Sequence, residues 1–199
     1  DLQSQNNVLI STCLSLVNNI MNYNLAIDVT QDVEKLFNMN NNLIRKKMIV
    51  ALTKASEIFL KNDRNNNYWD DFMIKLISLL GNKGLQNGVA VCLISSIQRI
   101  CYNYPEKCLT VLPSLLEYFA ICTINWCLIK IIDIFGMLFR YEPKLTKKEK
   151  VIKIIATKLA QTTSKSVEVQ MVKLVISNLD KQDNNVNMEL FQKDRKSVV

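Results

Sequence analysis

Apolar residues along this chain recur at intervals of three and four, the spacing of one face of an α-helix. In the first such stretch the face comprises Leu9, Cys13, Leu16, Val17 and Ile20. Long stretches of this kind begin near residues 3, 42, 84, 124 and 166, and shorter ones begin near residues 26, 68, 106 and 146. The pattern therefore predicts two helices in every roughly 40 residues.

That period is typical of HEAT-like arrays, in which one helical pair cannot bury its own apolar face and neighbouring pairs must stack. We expect an all-α fold, a right-handed α-solenoid of about four to five HEAT- or armadillo-like pairs. Residues 1–180 are expected to form the trunk of this array. Residues 181–199 are expected to be an incomplete last repeat or a disordered tail.

Proline positions agree with the predicted helix ends. The predicted helices are 3–21 with 26–37, 42–61 with 68–80, 84–103 with 106–120, and 124–141 with 146–162, followed by a fifth pair from residue 166. Pro105 and Pro143 both stop the first helix of a pair, and Pro113 predicts a break near Leu112.

The amino-acid composition argues against one fold class and against several kinds of catalytic site. The chain has 4 Gly and 3 Pro among 199 residues, too few turn formers for an all-β fold. It has no His, which removes Ser-His-Asp and Cys-His catalysis and the commonest metal ligand. The adjacent acids Asp70 and Asp71 lie at a predicted helix start, where they favour the positive end of the dipole. We therefore expect no catalytic residues, no metal, no cofactor and no enzyme activity.

The six cysteines are interpreted as free, buried thiols of a reducing compartment, because most lie within apolar helical stretches and none forms a CxxC pair. The longest uncharged run, residues 84–98, is shorter than a membrane span and contains polar residues. The chain starts at Asp1 without a signal peptide, and its last residues stop within a repeat, so we expect a fragment of a longer protein.

Positive charge is concentrated towards the C-terminus. Residues 1–140 carry 13 basic and 11 acidic side chains, whereas residues 141–199 carry 12 and 7. The candidate contact for anionic lipid consists of Lys144, Lys147, Lys148, Lys150 and Lys153, and Lys158 follows. Lysines near a membrane surface contribute about 1 kcal/mol each. Nucleic acid is the rival anionic partner, and a solvated helix face on a basic protein is the structural interpretation.

Two further clusters have structural interpretations. Arg45, Lys46 and Lys47 open a repeat helix, where their aliphatic stems cover a neighbouring helix. The most apolar helix is expected to be a core element, with Trp126, Leu128, Ile131, Ile132, Phe135 and Leu138 as its core motif. The alternative is that part of this helix meets a partner chain.

That helix also carries a family resemblance. The segment from Asn125 to Leu138, followed by Tyr141-Glu142-Pro143-Lys144-Leu145 and more lysines, resembles the "NW-x-LIKI-x-x-x-FG-x-L…EP-x-L-x-KK" stretch of the large adaptins, in particular the delta type. Residues 43–47 resemble the "x-IRKKA" start of an earlier adaptin repeat. Residues 88–105, a helix that ends in "NYP", resemble the family's "V-x-x-A-x-x-x-ICELARRNP" repeat. Together these matches span residues 8–180.

The resemblance implies a non-catalytic scaffold, the trunk of a large chain in a heterotetrameric vesicle-coat adaptor. Such a chain pairs with a second large chain, a medium mu-type chain and a small sigma-type chain. It sorts cargo in the cytoplasm, peripherally on Golgi or endosomal membranes. An anionic membrane surface and a small GTPase are further candidate partners, and no nucleic acid is expected. None of the family's binding surfaces matches this chain residue by residue.

The alternative is a HEAT scaffold of another class, such as a nuclear transport receptor or an RNA-associated protein. Its anionic site would be the lysine-rich segment Lys144–Lys153. Salt-dependent RNA binding distinguishes this hypothesis from the first, which predicts co-purification with a small sigma-type chain.

Overall fold

A computed structural model describes residues 2–81, 85–147 and 149–178 of the chain. Within these residues the fold is all-α, with nine α-helices and no strand. The helices are α1 (Asn7–Ile20), α2 (Tyr23–Lys35), α3 (Asn42–Asn62), α4 (Tyr68–Leu80), α5 (Asn87–Asn103), α6 (Leu112–Ile121), α7 (Asn125–Tyr141), α8 (Glu149–Gln161) and α9 (Lys165–Asn178). The prediction of an all-α chain of helical pairs is confirmed. The predicted tail, 181–199, lies outside the described residues.

Asparagine side chains define several helix starts. The carboxamide oxygens of Asn6, Asn22 and Asn41 accept hydrogen bonds from backbone N–H groups of the first turns of α1, α2 and α3. Such caps satisfy backbone donors that have no partner inside the helix. Because Asn22 provides a cap, α2 begins at Tyr23, three residues before the predicted start at Ala26.

The three prolines lie at helix boundaries, as predicted, but the helix after Pro143 starts later than predicted. Pro105 and Pro143 open the short 3-10 segments Pro105–Val111 and Pro143–Lys147. Pro113 lies in the first turn of α6, which begins at Leu112, so the predicted break is confirmed. The 3-10 segment after Pro143 delays the start of α8 to Glu149, three residues after the predicted start at Thr146.

The chain divides into two compact units, and the division falls after Ile100 within α5. In the first unit α1, α2 and α4 all pack on α3. The core of α3 consists of Ile44, Met48, Ile49, Leu52 and Leu60, and α4 adds Trp69, Phe72, Met73 and Leu76. Ion pairs join Lys75 of α4 to Glu34 of α2 at 2.6 Å and Arg99 of α5 to Glu57 of α3.

The packed side of α1 differs from the predicted one. The sequence pattern placed Leu9, Leu16 and Ile20 on the apolar face, yet these side chains are exposed. The buried residues are Ile10, Ser11 and Leu14. Because lysines of α3 bond to polar groups of α1, the contact between these two helices includes hydroxyl and carbonyl groups that an apolar pattern does not register.

In the second unit α7 packs along α9 and also contacts α6 and both 3-10 segments. Phe119 of α6 and Phe135 of α7 pack edge to face, with ring centroids 5.4 Å apart. Gly136 of α7 faces α9, where a Cβ atom would lie 3.5 Å from the Leu174 Cδ1 atom. α7 is therefore the central helix of this unit.

Candidate functional site

The candidate lysine-rich segment lies where the second unit passes from the 3-10 segment into α8. Lys144, Lys150 and Lys153 are exposed there, and none of the three forms an ion pair within the described part of the chain. The backbone of Lys147 belongs to the 3-10 segment. Lys148 lies outside the described residues. The structure thus places three candidate charges in solvent.

The two sides of α8 separate these charges from the core. Val151, Ile155 and Leu159 are buried on one side. Lys150 and Lys153 are three residues apart and therefore share one face of the helix. At 100° per residue this face lies opposite the buried residues. Glu149, which is exposed, is the acidic residue of the first turn. The α8 surface is therefore basic and faces solvent.

Lys158 does not belong to this surface. Its side chain is buried, and its Nζ donates to the carbonyl oxygens of Ala120, at 3.1 Å, and Cys122, at 2.6 Å. These carbonyls lie at the C-terminus of α6, the negative end of the helix dipole. The grouping of Lys158 with the other lysines was wrong, because Lys158 lies seven residues after Val151 and three after Ile155, on the apolar side of α8. That spacing was the available sequence signal.

Trp126 contradicts the predicted core motif. Leu128, Ile131, Ile132, Phe135 and Leu138 are buried, but Trp126 is 69% exposed. It lies in the first turn of α7, about 160° around the helix from the centre of the buried side. Lys130 and Asp133, both partly exposed, lie on the same outer side. This polar pair is the sequence signal that places Trp126 away from the core.

The cluster Arg45-Lys46-Lys47 has structural contacts. Lys47 donates to the Ser11 carbonyl oxygen at 2.9 Å and to the Ser15 hydroxyl at 2.6 Å. Seven residues further along α3, Lys54 donates to the Asn18 carbonyl oxygen at 2.5 Å. These lysines satisfy backbone carbonyls of α1, including one in its last turn.

The chain is similar in sequence to known proteins of a plant, a yeast and a mammal over most of its length. The chain is 26% identical to the AP-3 complex subunit delta of Arabidopsis thaliana over 191 residues, 96% of this chain and 20% of the relative. It is 26% identical to the AP-3 complex subunit delta of Saccharomyces cerevisiae over 85% of this chain and 17% of the relative. It is 28% identical to the AP-3 complex subunit delta-1 of Bos taurus over 78% of this chain and 12% of the relative. The chain resembles the AP-3 delta subunits.

The resemblance to large adaptins, in particular the delta type, is thereby confirmed. No protein-family profile matches the chain. The chain spans about a fifth or less of the length of these AP-3 delta relatives. Within it, the adaptin-like segment that begins at Asn125 forms α7, and the Pro143 that follows opens a 3-10 segment.

Asp70 and Asp71 lie in the first turn of α4, as predicted. No group of three or more His, Cys, Asp or Glu residues in the described ranges could hold a metal ion. None of the helices described is both long and apolar enough to cross a membrane.

All six cysteines are free thiols, and four of them are buried. Sequence reasoning missed that two of the buried thiols flank one turn. Cys122 follows the last residue of α6, and its thiol donates to the Ile124 carbonyl oxygen at 3.8 Å, while Cys127 lies buried in the first turn of α7. A spacing of five residues across a turn carries no motif, so the sequence offered no signal for this cluster.

Proposed function

We propose that the chain is part of a non-catalytic scaffold subunit of a heterotetrameric vesicle-coat adaptor complex. The supporting observation is its similarity to AP-3 delta subunits of a plant, a yeast and a mammal, over 78% to 96% of its length. In this proposal it assembles with a second large chain, a medium mu-type chain and a small sigma-type chain. It acts in protein transport and cargo sorting, peripherally on Golgi or endosomal membranes.

The construction of the two units supports a scaffolding role. Stacked helices are joined by long polar side chains, such as Lys47 between α3 and α1 and Lys158 between α8 and α6. Each of these contacts links residues more than 30 positions apart in the chain. Repeat proteins stabilised by contacts between neighbouring helices present long surfaces to partners.

Depletion of the protein from its own cells tests the proposed transport role. We expect transmembrane cargo to be missorted between Golgi and endosomes, and re-expression of the wild-type protein to restore sorting. A tagged copy should colocalise with membranes of these compartments. Normal cargo distribution after complete depletion would contradict the proposal.

We also propose that Lys144, Lys150 and Lys153 contact an anionic membrane surface. The support is their exposure and their lack of ion pairs within the described residues. The test is sedimentation with vesicles that contain phosphatidylserine and phosphoinositide, compared with neutral vesicles. The triple change to Glu should reduce binding at least about tenfold, since each lysine contributes about 1 kcal/mol.

The matched control for this experiment is the double change Lys61→Glu and Arg64→Glu. Both residues are exposed in the first unit, near the end of α3, and reversal of their charge alters the total charge in the same direction. We expect the control variant to lose much less binding than the triple variant. Equal losses would show that only net charge matters, and full binding by the triple variant would exclude these lysines.

The alternative function is a HEAT scaffold that binds nucleic acid through the same lysines, and their exposure favours it as much as it favours lipid. RNA binding measured between 50 and 200 mM salt separates the two, because release of counterions lowers affinity steeply for each phosphate contact. A salt slope that decreases in the triple Glu variant, together with no vesicle binding, would favour the alternative.

A further inference from the structure

The turn between α6 and α7 exposes two large apolar side chains. Ile121, the last residue of α6, is 74% exposed, and Trp126, in the first turn of α7, is 69% exposed. Only residues 122–124 separate the two helices. Single exposed apolar side chains are common on soluble proteins, but these two flank one short turn. The pair therefore marks one edge of the second unit.

The second unit places another turn at the same edge. The Lys158 ammonium group, in the last turn of α8, donates to the carbonyl oxygens of Ala120, at 3.1 Å, and Cys122, at 2.6 Å. The ends of α6 and α8 therefore lie together, and the turn from α8 into α9 follows within a few residues. We name residues 120–127 and 161–165 the turn edge.

The turn edge carries little charge. Residues 120–127 contain no charged side chain, and residues 161–164 contain none either. Lys165 is the charged residue of the edge, and its exposed ammonium group forms an ion pair with Glu168 at 3.2 Å. Glu117, which is exposed, lies one turn of α6 before the edge. Transfer of the turn edge out of water therefore requires no burial of an unpaired carboxylate.

These side chains suit the boundary between the headgroups and the acyl chains of a lipid bilayer. The indole of Trp126 has a large apolar body and one N–H donor, and such rings are enriched at this level of a membrane. The exposed polar side chains of the edge, Thr123, Asn125 and Thr163, keep their hydrogen bonds in the hydrated headgroup region. A dry protein interface would have to satisfy each of them with a matched group, so the composition of the edge favours lipid.

We propose that the turn edge inserts Ile121 and Trp126 into the headgroup boundary of a lipid bilayer. The inference rests on the proposed peripheral association with membranes and adds a second site to it. Lys144, Lys150 and Lys153 lie before α8 or towards its start, whereas the turn edge lies at its end. The lysines attract anionic lipid over about 10 Å, a distance that salt shortens. The turn edge adds apolar contact, which salt does not screen.

The two tryptophans of the chain allow a test by fluorescence. Trp69 is fully buried in the first unit, whereas Trp126 is exposed. The full chain is mixed with phosphatidylserine vesicles whose acyl chains carry bromine, a short-range quencher, near the headgroups. Emission from Trp126 should be quenched and shifted to shorter wavelength. The Trp126→Phe variant, which leaves Trp69 in place, should lose this quenching.

Sedimentation with the same lipids without bromine gives a second measurement. The double change Ile121→Ser and Trp126→Ser should weaken binding at least about tenfold, since withdrawal of about 60 Å² of apolar surface from the membrane has that effect. The matched control is the double change Ile74→Ser and Tyr102→Ser. These residues of α4 and α5 are 68% and 78% exposed, and we expect the control variant to bind like the wild-type protein.

The outcomes separate this inference from the proposed lysine contact. Vesicle binding without quenching of Trp126 overturns the insertion and leaves the lysine contact standing, whereas no binding to any vesicle overturns both. Equal losses in the two double variants would show that exposed apolar surface acts without regard to position, and would also overturn it. Protection of Trp126 from acrylamide by a purified partner chain, together with no quenching by brominated lipid, would assign the edge to a protein instead.

Discussion

At the scale of single residues, the side chains that matter most here are polar groups placed inside the apolar pattern. Lys158 occupies a core position of α8 and yet carries a charge, which the carbonyl groups at the end of α6 satisfy. A buried charge is tolerated only when its hydrogen bonds are made, so this lysine fixes α8 against α6.

Replacement of Lys158 by Met should therefore lower the free energy of unfolding by about 2 kcal/mol, because hydrogen bonds from a charged donor contribute about 1.5–3 kcal/mol. Urea denaturation measures this change. Lys153→Met on the exposed side of the same helix is the control and should stay within about 0.5 kcal/mol of the wild-type protein. Equal losses in the two variants would contradict the assignment of Lys158 as a buried cap.

Two aromatic residues of α7 should respond in opposite ways to truncation. Trp126 is 69% exposed and Phe135 is fully buried against Phe119. Phe135→Ala should cost about 3–5 kcal/mol through a core cavity, whereas Trp126→Ala should cost less than about 1 kcal/mol. Thermal unfolding of the two variants checks the orientation of α7. A larger loss at Trp126 would mean that the helix is rotated.

Titration of Tyr68 should make the stability of the protein sensitive to alkaline pH. Its hydroxyl oxygen is buried without a hydrogen-bond partner, and its pKa is raised by burial and by the nearby charge of Glu34. The unfolded chain loses this proton near pH 10, while the folded chain keeps it. Stability should therefore fall as pH rises above about 10, since ionisation then favours the unfolded state.

Tyr68→Phe removes the group that titrates. At neutral pH the variant should be as stable as the wild-type protein or more stable by about 1 kcal/mol, because an unsatisfied buried hydroxyl is gone. Denaturant unfolding from about pH 8 to about pH 11 should show a shallower decline for the variant. An unchanged alkaline slope would rule out Tyr68 as its source.

At the scale of helices, sequence reasoning located elements well and their orientations less well. The predicted bounds of α4 are those observed, and α7 begins one residue later than predicted. The capping by Asn22 and the 3-10 segment after Pro143 shifted two other starts, because side-chain bonds and local geometry override the apolar period there. The side of α1 that packs on α3 accepts hydrogen bonds from lysines of α3. The spacing of apolar residues does not predict such bonds.

The contact between α7 and α9 yields a prediction at this scale. Gly136 lies within a helix, and a Cβ atom there would meet the Leu174 Cδ1 atom at an ordinary contact distance of 3.5 Å. Gly136→Ala should therefore stabilise the protein by about 0.5–1 kcal/mol through helix propensity. Gly136→Leu should destabilise it, since further atoms would displace α9. A destabilised Ala variant, measured by thermal unfolding, would show that the helices are closer than described.

At the scale of the whole molecule, the periodic pattern and the adaptin-like residues together predicted the fold class and the relatives. The similarity to AP-3 delta subunits extends over both compact units, since the Arabidopsis alignment covers 96% of the chain. Partner surfaces could not be predicted in this way. An exposed lysine on a partner surface and one in plain solvent leave the same pattern in a sequence, and their difference lies in a second molecule.

The most direct test of the account is native co-purification. The protein, tagged at its own locus, is isolated at moderate salt with nuclease present, and the recovered chains are identified and quantified by mass spectrometry. Assignment to an adaptor complex predicts one second large chain, one medium chain and one small chain in equal amounts. Recovery of importins, nucleoporins or RNA-binding proteins in place of that set would contradict it.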